Sequence, residues 1–165
     1  WPLPRSAHGL KRRRNRRNRK AMERNQVTER YSVSPQLMPE DIAVLGQAGV
    51  KVLINNRPDT EVPPTLHSDV LRAAAEAAGM VFVDNPVSHA ALTLDIVETQ
   101  REAIDGADGP VHAYCASGNR STIVWGLGAA GTLDTDTIIA RAAAAGYSLE
   151  GLRPQLDALA RKRSG

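Results

Sequence analysis

Three short apolar runs, Val50-Lys51-Val52-Leu53-Ile54, Met80-Val81-Phe82-Val83 and Val111-His112-Ala113-Tyr114, recur between helix-length stretches. Each is too short for a buried helix and lacks the strict polar alternation of a half-wet sheet, so each reads as a strand covered on both faces. Parallel strands need long crossovers, and helices supply them. The expected fold is therefore α/β with three layers (α/β/α), around a mostly parallel central sheet of about four to five strands. A chain of 165 residues forms one such domain with a proper core.

Turn and cap residues set the boundaries. Residues 26–33 read as a strand ending at Ser34-Pro35. Pro39-Glu40-Asp41 opens a helix that runs to Gln47 or Ala48, with Gly49 past its end. Asn55-Asn56-Arg57-Pro58-Asp59 stops the first apolar run, and 60–66 read as loop. Ser68 caps an alanine-rich helix through Ala78, closed by Gly79. A helix from Thr93 or Asp95 to Ile104 precedes the third run. Ser121 is expected to start a helix through Ala130, Asp134 one through Ala145, and a last helix spans 149–161. In sheets of this kind ligands sit at the carboxyl ends of the strands. Loops 55–59, 84–89 and 115–120 meet there.

The last of these loops holds the only cysteine of the chain, in Tyr114-Cys115-Ala116-Ser117-Gly118-Asn119-Arg120-Ser121. A thiol at a helix N-terminus beside a guanidinium is favoured as the nucleophilic thiolate. The same unpaired amides and arginine bind an oxyanion. Nucleophile and anion site then coincide, as transfer of a phosphoryl or sulfane-sulfur group onto Cys115 requires. The competing reading is a small buried apolar side chain.

A lone cysteine excludes an internal disulfide and suits a reducing, cytoplasmic compartment. The histidines His8, His67, His89 and His112 form no ligand-spaced cluster, so neither metal nor organic cofactor is expected. No apolar run approaches the roughly 20 residues of a membrane span, and no membrane partner is expected. Charge divides the chain: residues 1–21 carry nine Lys/Arg and no acid, whereas 22–165 hold all 18 Asp/Glu against 12 Lys/Arg. Residues 1–21 read as a basic disordered extension, or as a mis-assigned start upstream of Met22. Nucleic acid enters as a partner only if that segment is real. The domain proper is expected over 22–165.

Tyr31-Ser32-Val33-Ser34-Pro35-Gln36, Ile54-Asn55-Asn56-Arg57-Pro58-Asp59, Ala77-Ala78-Gly79, Pro86-Val87, the Cys115–Ser121 loop, Ala145-Gly146-Tyr147 and Leu152-Arg153-Pro154 follow one another over about residues 26–160. In this order they resemble the phosphatase-like domain family of bacterial beta-lactamase hydrolase-like proteins, which has the protein tyrosine phosphatase fold. The resemblance implies that Cys115 is the nucleophile, Arg120 clamps two oxygens of the bound group, and Ser121 stabilises the departing thiolate. Gly118 would supply backbone that a Cβ would obstruct, and the amides of Ala116, Ser117, Gly118 and Asn119 would line the anion site with Arg57 adding positive potential. The competing readings are that Arg57 pairs with Asp59 or Glu61 and that Ser121 is a plain N-cap.

Three features depart from true tyrosine phosphatases. Four residues rather than five separate Cys115 from Arg120, a spacing similar to rhodanese sulfurtransferases. Tyr114, not histidine, precedes the cysteine, with His112 two residues back on the same strand face. The general acid is not evident; Asp59, then His89, then Asp84 are the candidates. The expected function is a hydrolase forming a covalent thiol intermediate with a small-molecule or protein-borne phosphate ester. The alternatives are a sulfurtransferase carrying a Cys115 persulfide and a non-catalytic anion-binding module.

Overall fold

The apolar runs form β3 (Val52–Asn55), β4 (Val81–Asp84) and β5 (Val111–Tyr114), in a computed structural model that describes residues 22–88, 90 and 92–164. The basic segment 1–21 and His89 lie outside the described residues. With β1 (Asn25–Gln26) and β2 (Tyr31–Ser34), strands β3, β4 and β5 make a five-stranded sheet in the order β1-β2-β5-β3-β4. All neighbours are parallel except β1 and β2. The single strand expected over 26–33 is thus a hairpin. Thr28 Oγ accepts from the amides of Arg30 and Tyr31 at 3.1 and 3.0 Å and reverses the chain between the strands, the local competition that threonine offers to a ladder.

Six helices surround the sheet among the described residues: α1 (Pro39–Gln47), α2 (Ser68–Ala77), α3 (Leu94–Asp105), α4 (Asn119–Ala129), α5 (Thr135–Ala144) and α6 (Arg153–Ser164). Ser68 is the first residue of α2 and not its cap, which is His67. Loop 60–66 contains parts of two 3-10 turns, Asp59–Glu61 and Pro64–Leu66. Helix α4 begins at Asn119, two residues before Ser121, because Gly118 takes the N-cap position with φ of 97°, a conformation open to glycine.

Successive strand residues face opposite layers. Tyr31, Val33, Val52, Ile54, Val111 and Ala113 pack with Val97, Trp125, Ile138 and Leu156 from the α3–α6 side. Leu53, Phe82 and Tyr114 pack with Leu37, Ile42, Leu45 and Leu71 under α1 and α2. Removing this surface from water is the main stabilising term.

His112 faces the α1/α2 side, fully buried, with both ring nitrogens used. Nδ1 lies 2.8 Å from Ser32 Oγ and Nε2 2.8 Å from Ser34 Oγ. Ser34 Oγ donates to Pro35 O, so the proton of the neutral ring sits on Nε2 and Ser32 donates to Nδ1. Burial, helped by the charge of Arg24, lowers the His112 pKa from 6.5 to about 3. A ring kept neutral in the fold but free to ionise when unfolded contributes stability above pH 6.5, and that contribution is lost as pH falls toward about 3. Urea midpoints should fall across this window by more in the wild type than in His112→Gln, by about 1–3 kcal/mol in unfolding free energy. Parallel pH profiles would contradict the assignment.

Candidate active site

Loops 55–59, 84–88 and 115–120 are tied together by buried amide side chains. Gln100, on α3, accepts at Oε1 from Asn56 Nδ2 and Asn85 Nδ2, both at 2.9 Å. Its Nε2 donates to Asn56 Oδ1 at 2.9 Å and to Tyr31 Oη at 3.0 Å. Tyr31 Oη in turn donates to Ser121 O at 2.8 Å. Asn55 Oδ1 accepts from Arg57 N at 2.8 Å and turns the chain after β3, while its Nδ2 donates to Asp84. The Asn-Asn pair thus serves as a bracket between the ends of three strands.

Cys115 follows β5 directly and is fully buried. Its amide bonds Ser34 O at 3.4 Å, and the Gly118 amide points back at its sulfur, N to Sγ 3.1 Å. Ala116, Ser117 and Asn119 are exposed around this turn, and the Asn119 amide donates to Ser117 Oγ at 3.2 Å. Ser121 Oγ and Tyr114 Oη are buried hydroxyls with no hydrogen-bond partner in the structure. Burial, with the charges of Asp84 and Asp59, pushes the Tyr114 phenol pKa up and keeps it protonated.

Arg120 reaches back over this loop with its side chain only 11% exposed. Nη1 and Nη2 each donate to a Glu61 carboxylate oxygen at 2.7 Å, and Nη1 also donates to Val87 O at 2.8 Å. Of five N–H donors, the two left over are Nε–H and one on Nη2, which share one edge of the planar fork. That edge suits two oxygens of one anion. The hydrogen bond to Glu61 raises the guanidinium pKa most, and the Cys115 side chain adds to it. Arg57 completes the cluster, with Nε 3.2 Å from Glu61 Oε1 and Nη1 3.2 Å from Gln36 Oε1. Arg57 therefore pairs with Glu61, not with Asp59.

The expected residues thus converge unevenly. Gly118 lies against the Cys115 sulfur, Arg120 interacts with the same side chain, and Glu61 joins Arg120 to Arg57. Asp59 is turned to other work: its oxygens accept from Ser68 N at 2.7 Å and Ser68 Oγ at 3.0 Å, capping α2 where His67 supplies no side-chain bond. A carboxylate accepting on both oxygens presents no proton to a leaving group. Asp84 accepts from Asn55 Nδ2 at 2.8 Å. Glu61, which holds Arg120, was visible in the sequence only as a local partner for Arg57; the pairing with Arg120 spans 59 positions, and no local pattern announces it. Among the described residues no group of three His, Cys, Asp or Glu side chains could hold a metal ion, and no helix is long and apolar enough to cross a membrane.

A family model described as "Beta-lactamase hydrolase-like protein, phosphatase-like domain" matches residues 23–132. A beta-lactamase hydrolase-like protein of Agrobacterium fabrum is 35% identical over 104 residues, 63% of this chain and 24% of that protein. The chain therefore matches about a quarter of the length of that relative. A candidate phosphatase of Neisseria meningitidis has a similar structure at 36% identity, TM-score 0.72, over 82% of this chain and 96% of its own. Two structures share the fold at 14% identity: Tk-PTP in its active form, TM-score 0.62 over 85% of this chain and 97% of its own, and a cysteine-to-serine variant of P. aeruginosa TpbA in complex with pTyr, TM-score 0.58 over 88% and 95%. The architecture is that of the protein tyrosine phosphatases.

The two guanidiniums hold the Glu61 carboxyl below the usual glutamate range, the Arg120 hydrogen bond foremost. A lowered carboxyl pKa means that this contribution is present above the unfolded value and is lost as pH falls through the folded one. Glu61→Gln should lower stability at pH 7 by about 1 kcal/mol or less, discounted for solvent screening. The difference should vanish in acid below the glutamate range. Urea titrations of both proteins at the two pH values check this; a difference that persists in acid would contradict it.

Proposed function

The chain belongs to the phosphatase-like domain family of beta-lactamase hydrolase-like proteins, and we propose that it hydrolyses phosphate esters through a phosphocysteine on Cys115. The observation that carries this reading is a sulfur that takes the Gly118 amide at 3.1 Å and interacts electrostatically with Arg120, two of whose donors are taken by neither Glu61 nor Val87. The pTyr bound by a structural relative supports a phosphate ester as the substrate class.

In the first step the Cys115 thiolate attacks phosphorus. A P–S bond forms and the ester P–O bond breaks, with its electron pair leaving on the alcohol oxygen. The Nε–H and Nη2–H edge of Arg120 takes two of the equatorial oxygens, and the amides of Ala116 and Ser117 take the remaining charge while the Gly118 amide stays on the sulfur; such preorganised donors lower the barrier. Arg57 keeps the mouth of the site positive. In the second step water attacks phosphorus, the P–S bond breaks, inorganic phosphate leaves, and the thiolate returns. The unpartnered Ser121 hydroxyl serves that step by hydrogen-bonding the departing sulfur.

Proton supply shapes the substrate range. Glu61 is held by two arginines, Asp59 by Ser68 and Asp84 by Asn55. Without a ready carboxylic acid, esters with acidic leaving groups react fastest. Aryl phosphates should therefore be turned over faster than alkyl phosphates.

A second reading is favoured by one observation, the four-residue spacing from Cys115 to Arg120: transfer of sulfane sulfur to Cys115 needs thiolate and cradle but no acid. Assays with p-nitrophenyl phosphate, and in parallel with thiosulfate plus cyanide, separate the two. The hydrolase reading expects phosphate release abolished by Cys115→Ser and reduced about 10²–10³-fold by Arg120→Ala. Thiocyanate formation without phosphate release would overturn it.

A further inference from the structure

We propose that Tyr147 is a positioning residue for the nucleophile, acting through a single peptide group. The Ser117–Gly118 peptide is held at both ends. Its carbonyl, Ser117 O, accepts from Tyr147 Oη at 2.9 Å. Its N–H, on Gly118, donates to Cys115 Sγ at 3.1 Å. A peptide is planar, so fixing the carbonyl direction fixes the N–H direction. The tyrosine hydroxyl thereby aims the amide that serves the sulfur.

The fold places Tyr147 for this purpose by a helix ending. Helix α5 closes with Gly146 at φ of 100°. The Gly146 amide bonds Ala143 O at 3.0 Å and the Tyr147 amide bonds Ala142 O at 2.8 Å, the paired bonds of a Schellman motif. Tyr147 leaves that motif directed at the loop, and its ring lies against Gly118. A Cβ built on Gly118 would stand 2.2 Å from Tyr147 Oη. Gly118 is thus required twice, for its positive φ of 97° and for this approach.

The phenol is itself oriented. Asn25 Nδ2, in β1, donates to Tyr147 Oη at 2.8 Å and to Glu23 at 2.9 Å. With its oxygen accepting from Asn25, the Tyr147 hydrogen goes to Ser117 O. Partial burial, with smaller contributions from Glu23 and Cys115, raises the phenol pKa, so the donor persists at neutral pH. A chain of bonds therefore runs from the first strand, through Tyr147 and one peptide, to the sulfur.

The role rests on Cys115 being the nucleophile of the proposed hydrolysis, and the test separates the two. Tyr147→Phe keeps the ring against Gly118 and removes the one donor. Labelling of Cys115 by iodoacetamide as a function of pH needs no substrate and reads the thiolate directly. The midpoint of that profile should move to higher pH by about half a unit, with Tm and circular dichroism of the wild type. Turnover of p-nitrophenyl phosphate should drop about tenfold in kcat with KM little changed, since an amide is misaimed and not removed. The Gly118 amide resonance should shift in the ¹H–¹⁵N spectrum. A labelling profile superimposable on the wild type, with an unmoved Gly118 resonance, would overturn the role. A wild type without phosphatase turnover would sink the hydrolase reading while leaving the labelling comparison intact.

Discussion

Gln100 uses both donors and both acceptor sites of its amide in the middle of the protein, and the rest of the site is arranged around that one side chain. It joins the end of β3 through Asn56, the end of β4 through Asn85, and the start of α4 through Tyr31 and Ser121. Buried polar groups left unsatisfied cost about 1–3 kcal/mol each, so this network tolerates few alternative arrangements. The three strand-end loops consequently share one frame. Cys115 on one loop and Glu61, the carboxylate that holds Arg120, beside another keep their spacing because the bracket beneath them is fully hydrogen-bonded.

Charge at the cradle follows from that frame. Two guanidiniums, Arg57 and Arg120, face one carboxylate, Glu61. The cluster keeps a net positive charge and still leaves Arg120 held by three bonds. A loosely held arginine would lose orientation each time an anion arrives or leaves. In the proposed hydrolysis, one whose end is fixed offers the same side edge to each incoming phosphate, with little reorganisation left to do in the transition state. The arrangement resembles a metal ligand oriented by an outer partner, with the carboxylate in the outer role.

Much of this was legible in the chain. The apolar runs 50–54, 80–83 and 111–114 were sufficient for the parallel sheet, but only β3 and β5 are covered on both faces; β4 is the edge strand and leaves Val81 exposed. The site loops followed from the rule that strands of such a sheet end at the ligand. Around Cys115 the chain led to the expectation of an anion cradle; the structure places the Gly118 amide on the sulfur and fixes Arg120 to Glu61. What sequence missed was non-local or stereochemical. Glu61 meets Arg120 across 59 positions and Tyr147 meets Ser117 across 30, distances at which no periodicity carries information. Helix α4 starts at Asn119 and not at Ser121 because Gly118, with its positive φ, takes the cap position. Asp59 had the composition of an acid in the right loop, but the nearby uncapped helix claimed it. The 26–33 segment broke into a hairpin through one threonine hydroxyl.

In the proposed hydrolysis a phosphoryl group resides on the Cys115 sulfur during turnover. Rapid acid quenching of the wild-type enzyme with an aryl phosphate, followed by mass analysis of the peptide containing Cys115, tests it directly. One added phosphoryl group on that peptide, absent from the same peptide of Cys115→Ser, is the expected result. Steady turnover with Cys115 unmodified at every quench time, and undiminished in Cys115→Ser, would contradict the account.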